Sequence, residues 1–223
     1  MATDPMNIPV VSVAAARRAL LAQFRDPVLR QRATMLWGTR GIGKSSIVAQ
    51  VADACGVPLI DLRLTTIEPV DLRGALFANE TLGQTVWLPP EFLPGPDQPA
   101  GILFLDELTT ADQRLQSSAY SLILDRRVGR YRLPDGWQVV AAGNPPYQGA
   151  VSHEMGTALA DRLFHFHLQG TIDAFLDYAL QRGLAPEVMA FLRVRPDRLD
   201  DTAGQLANDH LVGASPRGWE DVS

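Results

Sequence analysis

Residues 33–46, reading ATMLWGTRGIGKSS, constrain this chain more than any other stretch. A short apolar run, Thr34 to Trp37, predicts a buried strand. It passes directly into Gly38, Thr39, Arg40, Gly41, Ile42, Gly43, Lys44 and Ser45, which fit the pattern G-x-x-x-x-G-K-[ST] without a mismatch. From Ser46 to Ala54 the spacing is helical. Strand, glycine-rich turn and helix, in that order, separate a phosphate-binding loop from a chance match. The glycines let the backbone wrap a phosphate chain with its N–H groups pointing inward. The helix N-terminus that follows favours negative charge. Residues 38–46 are therefore the expected nucleotide-phosphate set, with Lys44 reaching the β- and γ-phosphates and the Ser45 hydroxyl ligating Mg²⁺.

Composition sharpens the reading at one point. The chain holds 20 Lys plus Arg, and Lys44 is the only lysine. A chain that uses arginine everywhere else keeps a compact, flexible ammonium here, a group that a planar guanidinium does not replace freely.

At 223 residues the chain is long enough for one sizeable α/β domain and a small appendage. Its net charge of -5 argues against generic binding to nucleic acid or anionic membranes. The one cysteine, Cys55, excludes an intramolecular disulfide and is read as a small apolar residue closing the first helix of the loop unit. The start MATDPMNIP has neither a basic nor an apolar targeting region, and no stretch approaches a membrane span, so a cytoplasmic protein is expected.

Taken in order, Val11 to Arg25 has helical spacing, and Asp26-Pro27 ends it. After the phosphate loop and its helix, Gly56 is a stop signal and Pro58 to Leu62 a second strand. Asp71 to Gly74 predicts a helical turn. Ala75 to Ala78 and Gln84 to Leu88 predict two short strands around a polar turn, followed by a proline-rich surface loop.

Gly101 to Glu107, GILFLDE, is an apolar run ending in two carboxylates. A fully apolar strand suits the middle of a parallel sheet, and acids at its C-terminal end stand where open α/β sheets place ligands. Asp106 is read as holding Mg²⁺ through water, and Glu107 as polarising the water that attacks the γ-phosphate. Thr109 to Arg126 predicts a helix, Arg126 to Gly136 a basic β-hairpin, and Trp137 to Ala142 a fourth strand ending in Gly143-Asn144-Pro-Pro. Ser152 to Asp161 predicts a helix and Leu163 to Leu168 a fifth strand. His165 and His167 lie on one face of that strand; with no third ligand at suitable spacing they are read as packing or surface residues. Thr171 to Arg182 and Pro186 to Val194 are amphipathic helices. A polar linker, Asp197 to Asp209, then leads to a last helix with Ser215 as N-cap and Pro216 at its start.

The phosphate loop, LFLDE, GNPP, ADRLFHFHL and SPRGW, in this order, together resemble an AAA+ ATPase, with the MoxR-like branch of the helix-2-insert clade as the nearest likeness. The resemblance covers the chain from about Ile8 onward. It implies a P-loop NTPase (AAA+) three-layer α/β fold with a parallel five-stranded sheet in the order 5-1-4-3-2. Residues 1–170 would form the nucleotide-binding core and 171–223 a partial helical lid, since the family continues through further lid helices where this sequence ends. It implies ATP and Mg²⁺ as ligands. Asn144 matches sensor 1, Arg162 the arginine finger that completes a neighbour's site, and Arg217 sensor 2. The stretches 75–88 and 126–136 match the helix-2 insert and the hairpin before sensor 1. The activity implied is Mg-ATP hydrolysis that remodels or matures a protein partner, in a hexameric ring working with a von Willebrand A-type protein. Two rival readings stand beside it. One is a nucleic-acid motor gripping phosphates with Arg126, Arg127, Arg130 and Arg132, disfavoured by the charge of -5. The other is a nucleotide-gated adaptor with little turnover, disfavoured by Glu107, Asn144 and Arg162.

Overall fold

Apolar strand runs alternating with helical patterns resolve, in the computed structural model, into one sheet covered on both faces. Residues 7–79, 81, 83–145, 160–201 and 213–223 are described. Among the described residues, six strands build the sheet: β1 (Val10–Ser12), β2 (Thr34–Trp37), β3 (Leu59–Arg63), β6 (Ala100–Asp106), β9 (Gly136–Gly143) and β10 (Phe164–Gln169). All neighbours are parallel, in the order β1-β10-β2-β9-β6-β3. Two hairpins stand apart, β4 (Ala75–Asn79) with β5 (Gln84–Leu88), and β7 (Arg127–Val128) with β8 (Tyr131–Arg132). The α-helices of the described residues are α1 (Val13–Arg25), α2 (Lys44–Cys55), α3 (Pro69–Arg73), α4 (Gln113–Asp125), α5 (Ile172–Arg182), α6 (Pro186–Val194) and α7 (Pro216–Asp221).

Strand β6 shows why its sequence is apolar without alternation. Leu103 and Leu105 pack into the cluster with α4, and Ile102 and Phe104 into the opposite cluster with α1 and α2. All four are fully buried. Both faces are covered, so the period of two carries no polar side, and each such side chain contributes about 1.5–3 kcal/mol by burial. A third, smaller cluster gathers Phe175, Ala179, Leu184, Leu192 and Leu199, with Trp219 against it.

The expected strand order is the observed one, but the expected count of five is corrected to six. Residues 10–12 are extended, and the helix expected from Val11 begins at Val13. Ser12 is its N-cap, with extended backbone, and its Oγ accepts from Ala15 N at 3.2 Å. That cap leaves β-branched Val10 and Val11 free to pair with the open edge of β10 (Val10 opposite His167). The helix expected from Thr109 likewise begins later, at Gln113, with Asp112 as its cap. The proline-rich stretch is tied down: Leu93 is buried, Tyr131 Oη donates to Pro94 O, and Trp137 Nε1 donates to Gln98 O. The helix expected at 152–161 and the linker beyond 201 fall largely outside the described residues.

Strand order also positions the site. β2, β9 and β6 are adjacent, and their C-terminal ends carry the phosphate loop, Asn144 and the Asp106–Glu107 pair. With Trp37 opposite Gly143 and Leu105 opposite Ala141, three segments distant in sequence meet along one edge.

Candidate active site

The loop after β2 turns through two glycines with left-handed backbone, Gly41 (φ 81°) and Gly43 (φ 97°). Gly43 directly precedes α2, and its carbonyl accepts from Ile47 N at 2.9 Å. The opening N–H groups of α2 have no intrahelical acceptor, and Lys44, Ser45 and Ser46, which carry them, line the space in front of the loop, where such unpaired donors favour an anion. That space is a cavity of about 490 Å³ lined by Arg40 through Ile47, Asp106, Glu107, Asn144 and Arg217 among others. Sequence-predicted residues from four separate segments therefore meet in one place.

Lys44 lies across the loop. Its Nζ donates to Gly38 O (2.7 Å), Thr39 O (3.0 Å) and Asn144 Oδ1 (3.2 Å). Burial lowers its pKa to about 8, against opposing pulls from Asp106 and Glu107. Its three contacts are neutral oxygens, so among the described residues the ammonium has no direct anionic partner, and phosphate would supply one. Binding phosphate favours the charged amine and so raises this pKa. ATP binding should then take up a proton above pH 8, and affinity should fall as pH rises past about 8. Since Lys44 is the only side-chain amine, peptide-mapped labelling with an amine-directed reagent reads it directly. Half-maximal labelling is expected near pH 8 without nucleotide, with protection by saturating Mg-ATP; a midpoint near the ordinary 10.5, or no protection, would contradict the assignment.

At the acidic end, Ser45 Oγ donates to Asp106 Oδ2 at 3.3 Å, and Asp106 Oδ1 accepts from Glu107 N at 2.8 Å. Glu107 has a positive φ (59°), unusual for a residue with a side chain and a local cost of order 1–3 kcal/mol. Its Oε2 accepts from Thr65 Oγ1, and its Oε1 stands 3.9 Å from Arg63 Nε. Arg63, the last residue of the edge strand β3, and Thr65 just beyond it thus orient the proposed base; neither was singled out from sequence. Two more supports were also missed. Thr109 Oγ1 accepts from Asn144 N (3.2 Å), and buried Gln116 donates to the carbonyls of Leu108, Thr109 and Ala111. A polar residue inside the apolar stripe of α4 is the one signal that could have marked Gln116.

Other expected residues separate. Arg217 lines the cavity, and a Cβ on Gly41 would stand 3.2 Å from Arg217 Cβ, so the last helix rests on the loop. Gly38 and Thr39 sit behind the cavity: their carbonyls hold Lys44, and Thr39 Oγ1 donates to Asp200 Oδ2 at 2.8 Å. Arg162 is exposed on the flank, outside the cavity, at the turn before β10, whose backbone is fixed by Arg32 (Nε to Arg162 O, 3.1 Å; guanidinium to Asp161 O, 2.8 Å). His165 is a packing residue, its Nδ1 accepting from Trp37 Nε1 (2.9 Å) and its Nε2 meeting Ala160 O (2.8 Å). Arg126 does not face outward with Arg127, Arg130 and Arg132; its guanidinium is spent on the carbonyls of Pro134 and Trp137.

The AAA domain model of the dynein-related subfamily matches residues 33–163 of the chain. Among curated proteins, Midasin of Giardia intestinalis is 26% identical over 176 residues, which is 75% of this chain and 4% of that protein. Among solved structures, one from Cytophaga hutchinsonii, assigned provisionally as an ATPase, superposes with a TM-score of 0.50 at 19% identity, covering 70% of this chain and 46% of that one. That likeness concerns the fold. The chain spans a small part of the Midasin relative and less than half of the structural one.

Proposed function

Because the chain belongs to the dynein-related subfamily of AAA domains, and with it to the ATP-hydrolysing P-loop NTPases, we propose that it spends Mg-ATP hydrolysis on remodelling or maturing a protein partner. The observation that carries the chemical part is the contact of Ser45 Oγ with Asp106 Oδ2 inside the cavity that also holds Lys44, Glu107 and Asn144. Two hard oxygen donors 3.3 Å apart, beside a half-buried ammonium, fit a divalent cation with a polyphosphate. Ser45 and Asp106 would hold Mg²⁺, which when bound neutralises charge on the phosphate oxygens. Lys44 and the N–H groups of α2 bind and orient the phosphates. Glu107 accepts the proton of the attacking water, and Asn144, held by Thr109 and Lys44, aligns that water. Arg217 approaches the phosphates from the last helix.

A protein partner fits the exposed surface better than nucleic acid does. The β4–β5 hairpin exposes Leu76 with Trp87 on one face and Phe77 with Leu88 on the other, and residues 75–88 include no lysine or arginine. Within the family we place the chain in the MoxR-like branch, on its two hairpins at the stretches 75–88 and 126–136, and read it as a hexameric ring working with a von Willebrand A-type protein in the cytoplasm. No helix among the described residues is long and apolar enough to cross a membrane.

The test is phosphate release from Mg-ATP, with and without the protein retained by a Glu107→Gln form loaded with ATP. A retained protein that raises turnover of the unmodified chain, and is altered in assembly or conformation only while ATP is hydrolysed, supports remodelling. Steeply salt-dependent binding to single-stranded DNA, with turnover stimulated by it, would favour the motor reading instead.

A further inference from the structure

The helix that carries Arg217 is too short to orient itself. α7 has six residues, and isolated helices shorter than about 12–15 residues are marginal in water. Its direction must come from its ties to the rest of the molecule. Ser215 Oγ caps it, accepting from Gly218 N at 3.2 Å. On the side away from the cavity, Trp219 lies against Phe191 (5.4 Å between centroids) and its Nε1 donates to Arg198 O at 2.9 Å. On the cavity side, Glu220 Oε1 accepts from Tyr178 Oη at 2.7 Å and stands 3.4 Å from the Arg182 guanidinium. Both donors belong to α5, which follows β10 after a two-residue connection, lines the cavity with Ala174, Phe175 and Tyr178, and packs in the third cluster against which Trp219 rests.

Arg217 and Glu220 are three residues apart and both line the cavity. One short helix therefore meets the phosphate loop through Arg217 at Gly41, and meets α5 through Glu220. We propose that Glu220, held by Tyr178, is a positioning residue for Arg217: it sets the angle at which α7 delivers the guanidinium to the bound phosphates. The inference rests on reading Arg217 as a phosphate contact. The Tyr178 bond carries most of the effect. It joins a hydroxyl to a carboxylate and is short, whereas the Arg182 side chain is 62% exposed and its ion pair is screened by water.

The experiment is a set of double-mutant cycles on the full chain, reading kcat and KM for ATP together with thermal unfolding. Arg217→Ala should lower hydrolysis. Glu220→Ala and Tyr178→Phe should each lower it about tenfold, within the coupling expected of contacting residues. Glu220→Gln, which keeps an acceptor for Tyr178, should recover most of the loss. The decisive expectation is non-additivity: Arg217→Ala with Tyr178→Phe should be no worse than Arg217→Ala alone, with the unfolding temperature little changed. Multiplying losses would overturn the proposal, because Glu220 and Tyr178 would then act independently of Arg217. If Arg217→Ala is damaging while Glu220→Ala and Tyr178→Phe are harmless, only the positioning role fails. If Arg217→Ala itself costs nothing, the phosphate role of Arg217 fails and the positioning role with it. Should Glu220→Ala not fold, the Tyr178→Phe cycle decides alone.

Discussion

Arg162→Ala is expected to bind ATP normally and to lose about 10³–10⁵ in hydrolysis rate, the range for an arginine supplied in trans to a phosphoryl transfer. The geometry makes the expectation specific. Arg162 is exposed at the turn before β10, outside its own cavity, and that turn is clamped by Arg32 to the start of β2. A guanidinium there cannot stabilise γ-phosphate charge in its own subunit, but in a ring it can do so for a neighbour. The loss corresponds to about 4–7 kcal/mol of barrier. An exposed surface ion pair, the alternative role for such a residue, is worth about 0–1 kcal/mol, so the two readings differ by orders of magnitude in rate. Mixing Arg162→Ala with Glu107→Gln should restore partial activity, since some intact Glu107 sites would face an intact Arg162. The mixture should be assayed across a range of protein concentrations. If folded mutants exchange subunits and no ratio shows rescue, the trans assignment is wrong.

The second large effect separates binding from chemistry within one cavity. Glu107→Gln should retain ATP affinity and lose at least about 10² in turnover, as expected for removal of a general base. The amide keeps the size of the side chain and can still accept from Thr65, so the local frame should survive. Lys44→Ala removes the cation that spans Gly38, Thr39 and Asn144 and should lose affinity as well as rate. Equal loss of nucleotide binding in both mutants would contradict these roles. Preserved turnover in Glu107→Gln would move the base elsewhere.

How much of this was legible in the sequence depends on the range of the interaction concerned. The phosphate loop is a local device: its glycines, lysine and serine are consecutive, and their backbone angles and the following helix N-terminus are set within one turn. The buried strand β6 was legible for the same reason, because burial on both faces removes polar residues from a contiguous run. The start of β1 was not. Its extension depends on a partner, β10, that is more than 150 residues away, and only the open edge of that strand makes pairing better than another helical turn. Thr65, Arg63 and Gln116 escaped notice because threonine, arginine and glutamine are ordinary surface residues until a fold turns them toward a carboxylate or a row of carbonyls.

The sequence by itself determined the chemistry available, a phosphate loop with one lysine and a strand ending in two acids, since those residues act through their own side chains and immediate backbone. Only the tertiary structure decided which of them share a cavity. Parallel pairing brings the ends of β2, β9 and β6 together, while the same pairing leaves Arg162 on the outer flank. It also decided that Arg217 rests on Gly41 through a six-residue helix held by Tyr178, because a helix that short takes its direction from its contacts and not from its own residues.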